Sequence, residues 1–143
     1  MTFCRIDLSK TDYTPLEHII MFIDPPVARL QEIYKKYCAY KQFDSVMPIF
    51  DSQFTDVKND VYGYVDHRQD LVAFSIVRRH DDKNAEAWQF AWDYADPALR
   101  LGIRSLETEC MIYKKWGYKY LYLGEASDYK AELDGYEVLG TDV

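Results

Sequence analysis

Three cysteines in 143 residues, Cys4, Cys38 and Cys110, are too few and too scattered for a disulfide framework. No Cys-x-x-Cys pair occurs, which removes the commonest zinc site. Histidine is as scarce: His18, His67 and His80 share no spacing with one another or with acids that suggests a metal centre. Neither a Ser-His-Asp nor a Cys-His arrangement is readable from spacing. There is no P-loop and no Gly-x-Gly-x-x-Gly, so a nucleotidase or a dinucleotide enzyme lacks its signature. Six glycines and five prolines are too few for a collagen-like or linker-rich chain. No apolar run approaches the roughly 18 residues of a membrane span. The opening residues carry no apolar signal-peptide core. These absences lead us to expect a cytoplasmic protein with reduced, core-filling cysteines, no metal and no membrane partner.

Apolar residues make up 48% of the chain and charged residues 29%, the balance of a folded globular protein. A length of 143 residues suits one domain over residues 1–143. Thirteen tyrosines within 16% aromatics predict a bulky core or a sticky interface, so a dimer is open. The net charge is −7, which argues against nucleic-acid binding by the whole surface. The charge is uneven. Beyond residue 124 there are six acids and one base, whereas residues 97–119 carry five bases and two acids. A locally positive helix in an acidic protein is either a site for a small anion or a solvated face.

Periodicity predicts a mixed α/β (α+β) chain. Residues 2–8 read as a strand. Thr14-Pro15-Leu16-Glu17 has the form of a helix start, with a Thr cap, Pro in the first turn and Glu closing a capping box. That helix should run to Phe22 and stop before Pro25-Pro26. A second helix, capped by Asp24, carries Val27, Leu30, Tyr34, Tyr37 and Cys38 at helical spacing. Residues 43–60 read as loop with one turn of helix at most. Residues 61–66, 71–79 and 85–94 then read as an antiparallel meander. The middle strand is apolar on both faces, as a central strand should be. In the third, Trp88, Phe90, Trp92 and Tyr94 alternate with Ala87, Gln89, Ala91 and Asp93. The small, polar face either leaves room for a ligand or receives a helix. A long helix follows over residues 98–116, with stripe Leu99, Ile103, Leu106, Cys110 and Tyr113, and Gly117 stops it. Residues 118–123 form a strand that the crossover makes parallel to the third meander strand. A short helix over 126–133 and a last strand over 136–139 complete the chain.

The chemistry concentrates at the strand-to-helix junction Tyr94-Ala95-Asp96-Pro97-Ala98-Leu99-Arg100-Leu101-Gly102-Ile103-Arg104-Ser105. Free backbone N–H groups at a helix start favour phosphate or another anion. Arg100 and Arg104 add charge, and Gly102 permits close approach to the backbone.

This order of elements resembles the GNAT N-acyltransferase fold: helices, a meander, a long helix, a parallel strand, a short helix and a Gly-Tyr-Glu-Val strand. In that superfamily a Gln/Arg-x-x-Gly-x-Gly/Ala loop opens the long helix and binds the coenzyme A pyrophosphate. Gly102 matches its first glycine and Ser105 follows as a small residue, while Arg104 stands at the second glycine and Leu99 at the Gln/Arg position. The resemblance implies an acetyl-CoA or other acyl-CoA donor held by Tyr94, Arg100, Leu101, Gly102, Ile103, Arg104 and Ser105. It implies transfer to a primary amine of a small molecule or protein. Asp93 is the expected base, with Glu86 second, and Tyr129 the expected acid; strand-end hydrogen bonding and simple packing are their alternatives. Residues 90–139 also resemble, locally, the C-terminal GNAT-like domain of the arginyl/leucyl-tRNA–protein transferases. The matching pieces are Tyr94 with Asp96-Pro97, Leu101-Gly102-Ile103-Arg104-Ser105, Tyr120-Leu121-Tyr122-Leu123-Gly124 and Tyr129-Lys130-Ala131. That likeness implies a charged tRNA as an alternative donor. A catalytically silent GNAT-fold binding module is the third alternative.

Overall fold

A computed structural model describes residues 2–42, 48–95 and 97–141. Its strands and helices, in chain order, are β1 (Thr2–Asp7), β2 (Ile19–Met21), α1 (Val27–Lys41), α2 (Asp51–Thr55), β3 (Asn59–Val65), β4 (Leu71–Arg79), β5 (Asn84–Trp92), α3 (Leu101–Lys115), β6 (Tyr120–Glu125) and β7 (Tyr136–Thr141). The strands form one seven-stranded sheet in the order β2-β3-β4-β5-β6-β1-β7. β2 through β5 pair antiparallel, β5 pairs β6 in parallel, and β1 pairs antiparallel with both β6 and β7. The expected meander, long helix and parallel crossover strand are all present.

Neighbouring residues on a strand point to opposite faces, and both faces of the central strands are covered. On one face Leu30 and Ile33 of α1 bury against Val61, Phe74, Ile76 and Ala91. On the other, Leu101, Leu106, Cys110 and Tyr113 of α3 pack with Tyr62, Ala73, Val77, Trp92, Leu121 and Ile6. β4 therefore reads as apolar on both sides. The three cysteines are free and buried. No helix among the described residues is long and apolar enough to cross a membrane.

The expected helix over residues 14–22 is not formed. Instead, Ile19–Met21 make edge strand β2, which pairs with Tyr62–Tyr64 of β3. The backbone amides that a helix needs are used elsewhere. Leu16 N–H donates to Thr108 Oγ1 of α3 at 3.0 Å, and Phe22 N–H donates to the Val61 carbonyl at 2.9 Å. Adjacent β-branched Ile19 and Ile20 also favour the extended edge over a two-turn helix. The α1 helix begins at Val27 with Pro26, not Asp24, at its cap, and no side chain caps it. Residues 48–60 hold the one helical turn expected, α2, and residues 43–47 lie outside the described part. The expected short helix over 126–133 reduces to a 3-10 turn at Lys130–Glu132.

The long helix starts at Leu101 rather than Ala98. A 3-10 turn at Pro97–Leu99 precedes it, and Arg100, at φ 50°, is its left-handed N-cap. This shift replaces Leu99 by Leu101 as the first core anchor. Gly117, at φ 87°, ends the helix as expected.

Candidate active site

Alternation along β5 fails at Trp88. Gln89 pairs with Ile76 and Ala87 with Val77, so Trp88 is the extra residue of a β-bulge. The extra residue breaks the strict period-two pattern. Trp88 is 38% exposed, with the Arg78 guanidinium 5.4 Å from its ring centre. The predicted small and polar face divides: Ala91 is buried against α1, while Ala87 and Gln89 line an open cleft.

That cleft opens between β5 and β6. β5 and β6 pair only over Asn84–Glu86 and Tyr120–Tyr122. Beyond that the two strands diverge, with the bulge at the start of the divergence. A cleft of about 220 Å³ lies between Ala87–Phe90 and Leu123. Its floor is one face of α3: Gly102, Ser105, Leu106 and Glu109, at positions i, i+3, i+4 and i+7. Tyr37 of α1 and Tyr129 and Lys130 of the loop after β6 complete the lining. A second recess of about 260 Å³ shares Tyr37, Phe90, Gly102 and Tyr129, and adds Lys41, Trp92, Tyr94 and Ile103. Together they make a trough along the first two turns of α3.

At its outer end Tyr94, at φ 57°, stacks on Tyr40 with ring centres 3.9 Å apart, and Lys41 Nζ lies 5.6 Å from the same ring. The start of α3 opens on this trough with no side-chain cap, so the first-turn N–H groups have no partner within the helix. A Cβ at Gly102 meets nothing within 4 Å, so the backbone there faces open space. Ser105 Oγ donates to the Gly102 carbonyl at 3.2 Å. Lys130 Nζ is held by the carbonyls of Leu123 (3.0 Å) and Glu125 (2.8 Å). Of the other residues expected to bind the donor, Arg100 is exposed at the cap, Leu101 is buried in the core, and Arg104 pairs with Glu107 at 3.1 Å.

The expected acid and base part company. Tyr129 lines both halves of the trough, half exposed, and burial raises its pKa. Asp93 lines neither. Its Oδ1 accepts from Ala95 N–H at 2.9 Å in its own turn, the strand-end alternative. Glu86 pairs with His80 at 2.8 Å, away from the trough. The carboxyl that does line the cleft is Glu109, which sequence reasoning passed over. Glu109 is 1% exposed. Its Oε1 lies 3.5 Å from the Tyr64 hydroxyl, which itself bonds Ser75 Oγ at 3.1 Å, and its Oε2 has no partner. Burial raises its pKa to about 7, and the Ser75 and Tyr64 hydroxyls oppose the rise. The available signal was its position, seven residues beyond Gly102 and beside the apolar stripe of α3.

No protein-family model and no curated protein matches this chain. Solved structures do. L-PGS from Bacillus licheniformis superposes with a TM-score of 0.67 at 12% identity, covering 87% of this chain and 46% of that one. Saccharomyces cerevisiae N-myristoyltransferase, solved with bound myristoyl-CoA and inhibitors, gives 0.59 at 11% identity over 81% of this chain and 34% of the other. A GNAT family acetyltransferase from Elizabethkingia anophelis, with acetyl-CoA bound, gives 0.55 at 14% identity over 82% and 71%. The chain spans about half the length of the L-PGS structure and a third of the transferase structure. At such identities the shared property is the fold, and this chain has the GNAT fold.

Proposed function

We propose that this protein is an N-acyltransferase that binds an acyl-CoA in the trough and passes the acyl group to a primary amine. The carrying observation is the coincidence of two openings. The gap between β5 and β6 and the uncapped start of α3 face the same trough. A helix start without a cap suits the donor's pyrophosphate, with Arg100 and Lys41 nearby as counter-charge. The bare backbone at Gly102 admits the pantetheine arm. The bulge leaves the Trp88 amide outside the strand ladder, where it can polarise the thioester carbonyl. The neutral amine attacks that carbonyl carbon, a C–N bond forms and the C–S bond breaks. Tyr129, protonated at neutral pH, gives its proton to the leaving thiolate, and the proton lost by the attacking nitrogen restores it. Acyl-CoA complexes of two structures with the same fold, the transferase and the acetyltransferase above, support this choice of donor.

Thermal unfolding with acetyl-CoA, free coenzyme A and 3′,5′-ADP tests it. A ligand at 100 times its dissociation constant adds about 2.7 kcal/mol, a rise of several degrees for a domain of this size. A rise with both acetyl-CoA and coenzyme A is expected. No rise with any of the three refutes the reading and leaves a GNAT-fold module that does not take this donor.

A further inference from the structure

We propose that the inner end of the cleft is a receptor for a primary ammonium group, with Glu109 Oε2 as its counter-charge. The inference rests partly on the acyl-transfer reading above, since it names what the reacting groups carry. Three observations support it. Glu109 is buried almost completely, yet it forms part of a cavity wall rather than of packed core. Its Oε2 has no hydrogen-bond partner, and an unpartnered buried carboxyl oxygen is costly unless a ligand supplies the donor. The neighbouring cation does not fill this role: no hydrogen bond joins Lys130 Nζ to Oε2, and two of its three N–H donors go to backbone carbonyls. Tyr37, Phe90 and Tyr129 supply aromatic walls, which suit an ammonium group.

The groups whose charge bears on Glu109 are few. Tyr62 and Tyr64 come from β3, Cys110 lies beside it on α3, and Tyr129 comes from the loop, while Tyr37 and Lys130 line the same cleft. Burial holds Tyr62, Tyr64 and Cys110 protonated at neutral pH. Glu109 is therefore the group in this set that changes charge between pH 6 and 8. Once ionised it holds R–NH3+ and takes one proton from it. Where the group is the acceptor's, the resulting amine attacks, and its second proton replaces the one that Tyr129 has given to the departing thiolate.

The ammonium group can belong to the acceptor or to an amino-bearing acyl group on the donor. About 10 Å of α3 separates Gly102 from Glu109, so a donor anchored at the helix start extends towards the carboxyl. A fatty acyl chain would bury that carboxyl without a partner; an aminoacyl group would satisfy it.

Two matched pairs separate the sources. Butylamine against butanol probes the acceptor, and β-alanyl-CoA against propionyl-CoA probes the donor. Binding is measured by calorimetry at pH 6 and pH 8 to the whole protein and to Glu109→Gln. In at least one pair the ammonium member should bind tenfold or more tightly than its neutral twin at pH 8. That preference should shrink at pH 6 and vanish in Glu109→Gln. If neither pair discriminates, or if Glu109→Gln discriminates equally, the inference is wrong. Propionyl-CoA binding to both proteins reports on the donor reading separately. Its absence together with a butylamine preference would sink the reading and leave the receptor standing.

Discussion

Glu109→Gln should change how stability depends on pH, whatever the ligand. Burial raises the carboxyl pKa from an ordinary 4.5 to about 7. Across that window the native state keeps a proton that the unfolded chain has released. A group of this kind makes stability fall as pH rises from about 4.5 to about 7, after which the loss is complete. Each pKa unit corresponds to about 1.4 kcal/mol, so the full loss is about 3 kcal/mol. Glutamine has nearly the same shape and can still bond Tyr64, but it does not ionise. The variant should match the wild type near pH 4.5 and exceed it by about 3 kcal/mol at pH 8. For a chain of this length that is roughly 10 °C in Tm. Asp7, Asp56, Asp66 and Asp81, whose pKa values hydrogen bonds hold low, act in the opposite sense. Their stabilisation is lost as pH falls below the ordinary range, and it cancels in the comparison. Circular-dichroism melts of both proteins between pH 4.5 and 8 make the measurement. Parallel profiles would refute the placement of Glu109 in a buried, poorly partnered setting.

Gly102→Ala should stabilise by about 0.5–1 kcal/mol, because alanine favours the helix and its Cβ meets nothing. The same methyl group projects into the trough and should weaken coenzyme A binding, so Tm and affinity move in opposite directions. Gly135→Ala should cost about 2 kcal/mol or more in denaturant melts. Its φ of 77° disfavours a side chain, and a Cβ would sit 2.4 Å from the Asp7 carbonyl oxygen. Tyr113→Phe should cost about 1–3 kcal/mol by the same assay, because its hydroxyl donates to the nearly buried Asp60 at 2.5 Å and bonds Tyr62 OH at 3.0 Å.

Much of the fold was legible because its signals are local. The two-sided apolar run of β4 and the four-and-three spacing in α1 and α3 reflect burial directly. The parallel β5–β6 pairing follows from chain order alone. The capping pattern at Thr14–Glu17 misled because partners distant in sequence, Thr108 and Val61, claim the backbone amides. The bulge at Trp88 is invisible in an alternating sequence: it depends on how β5 meets β4, not on β5 itself. The site was half legible. Tyr129, Gly102 and Ser105, singled out from the junction and the resemblance, line the trough. Asp93 was chosen for its place on an alternating strand, and it turned into its own turn. Glu109 was overlooked because charged residues on a helix usually face water. Its burial depends on the opening between β5 and β6, a tertiary feature.

The central claim is that the trough between β5, β6 and the start of α3 takes an acyl-CoA. Titrating the isotope-labelled protein with acetyl-CoA and following its backbone amides by NMR tests this most directly. The largest shifts should fall on Gly102, Ile103, Ser105, Trp88 and Leu123. No shifts, or shifts confined to the open groove beside Phe3, Tyr122 and Leu139 on the same sheet, would contradict it.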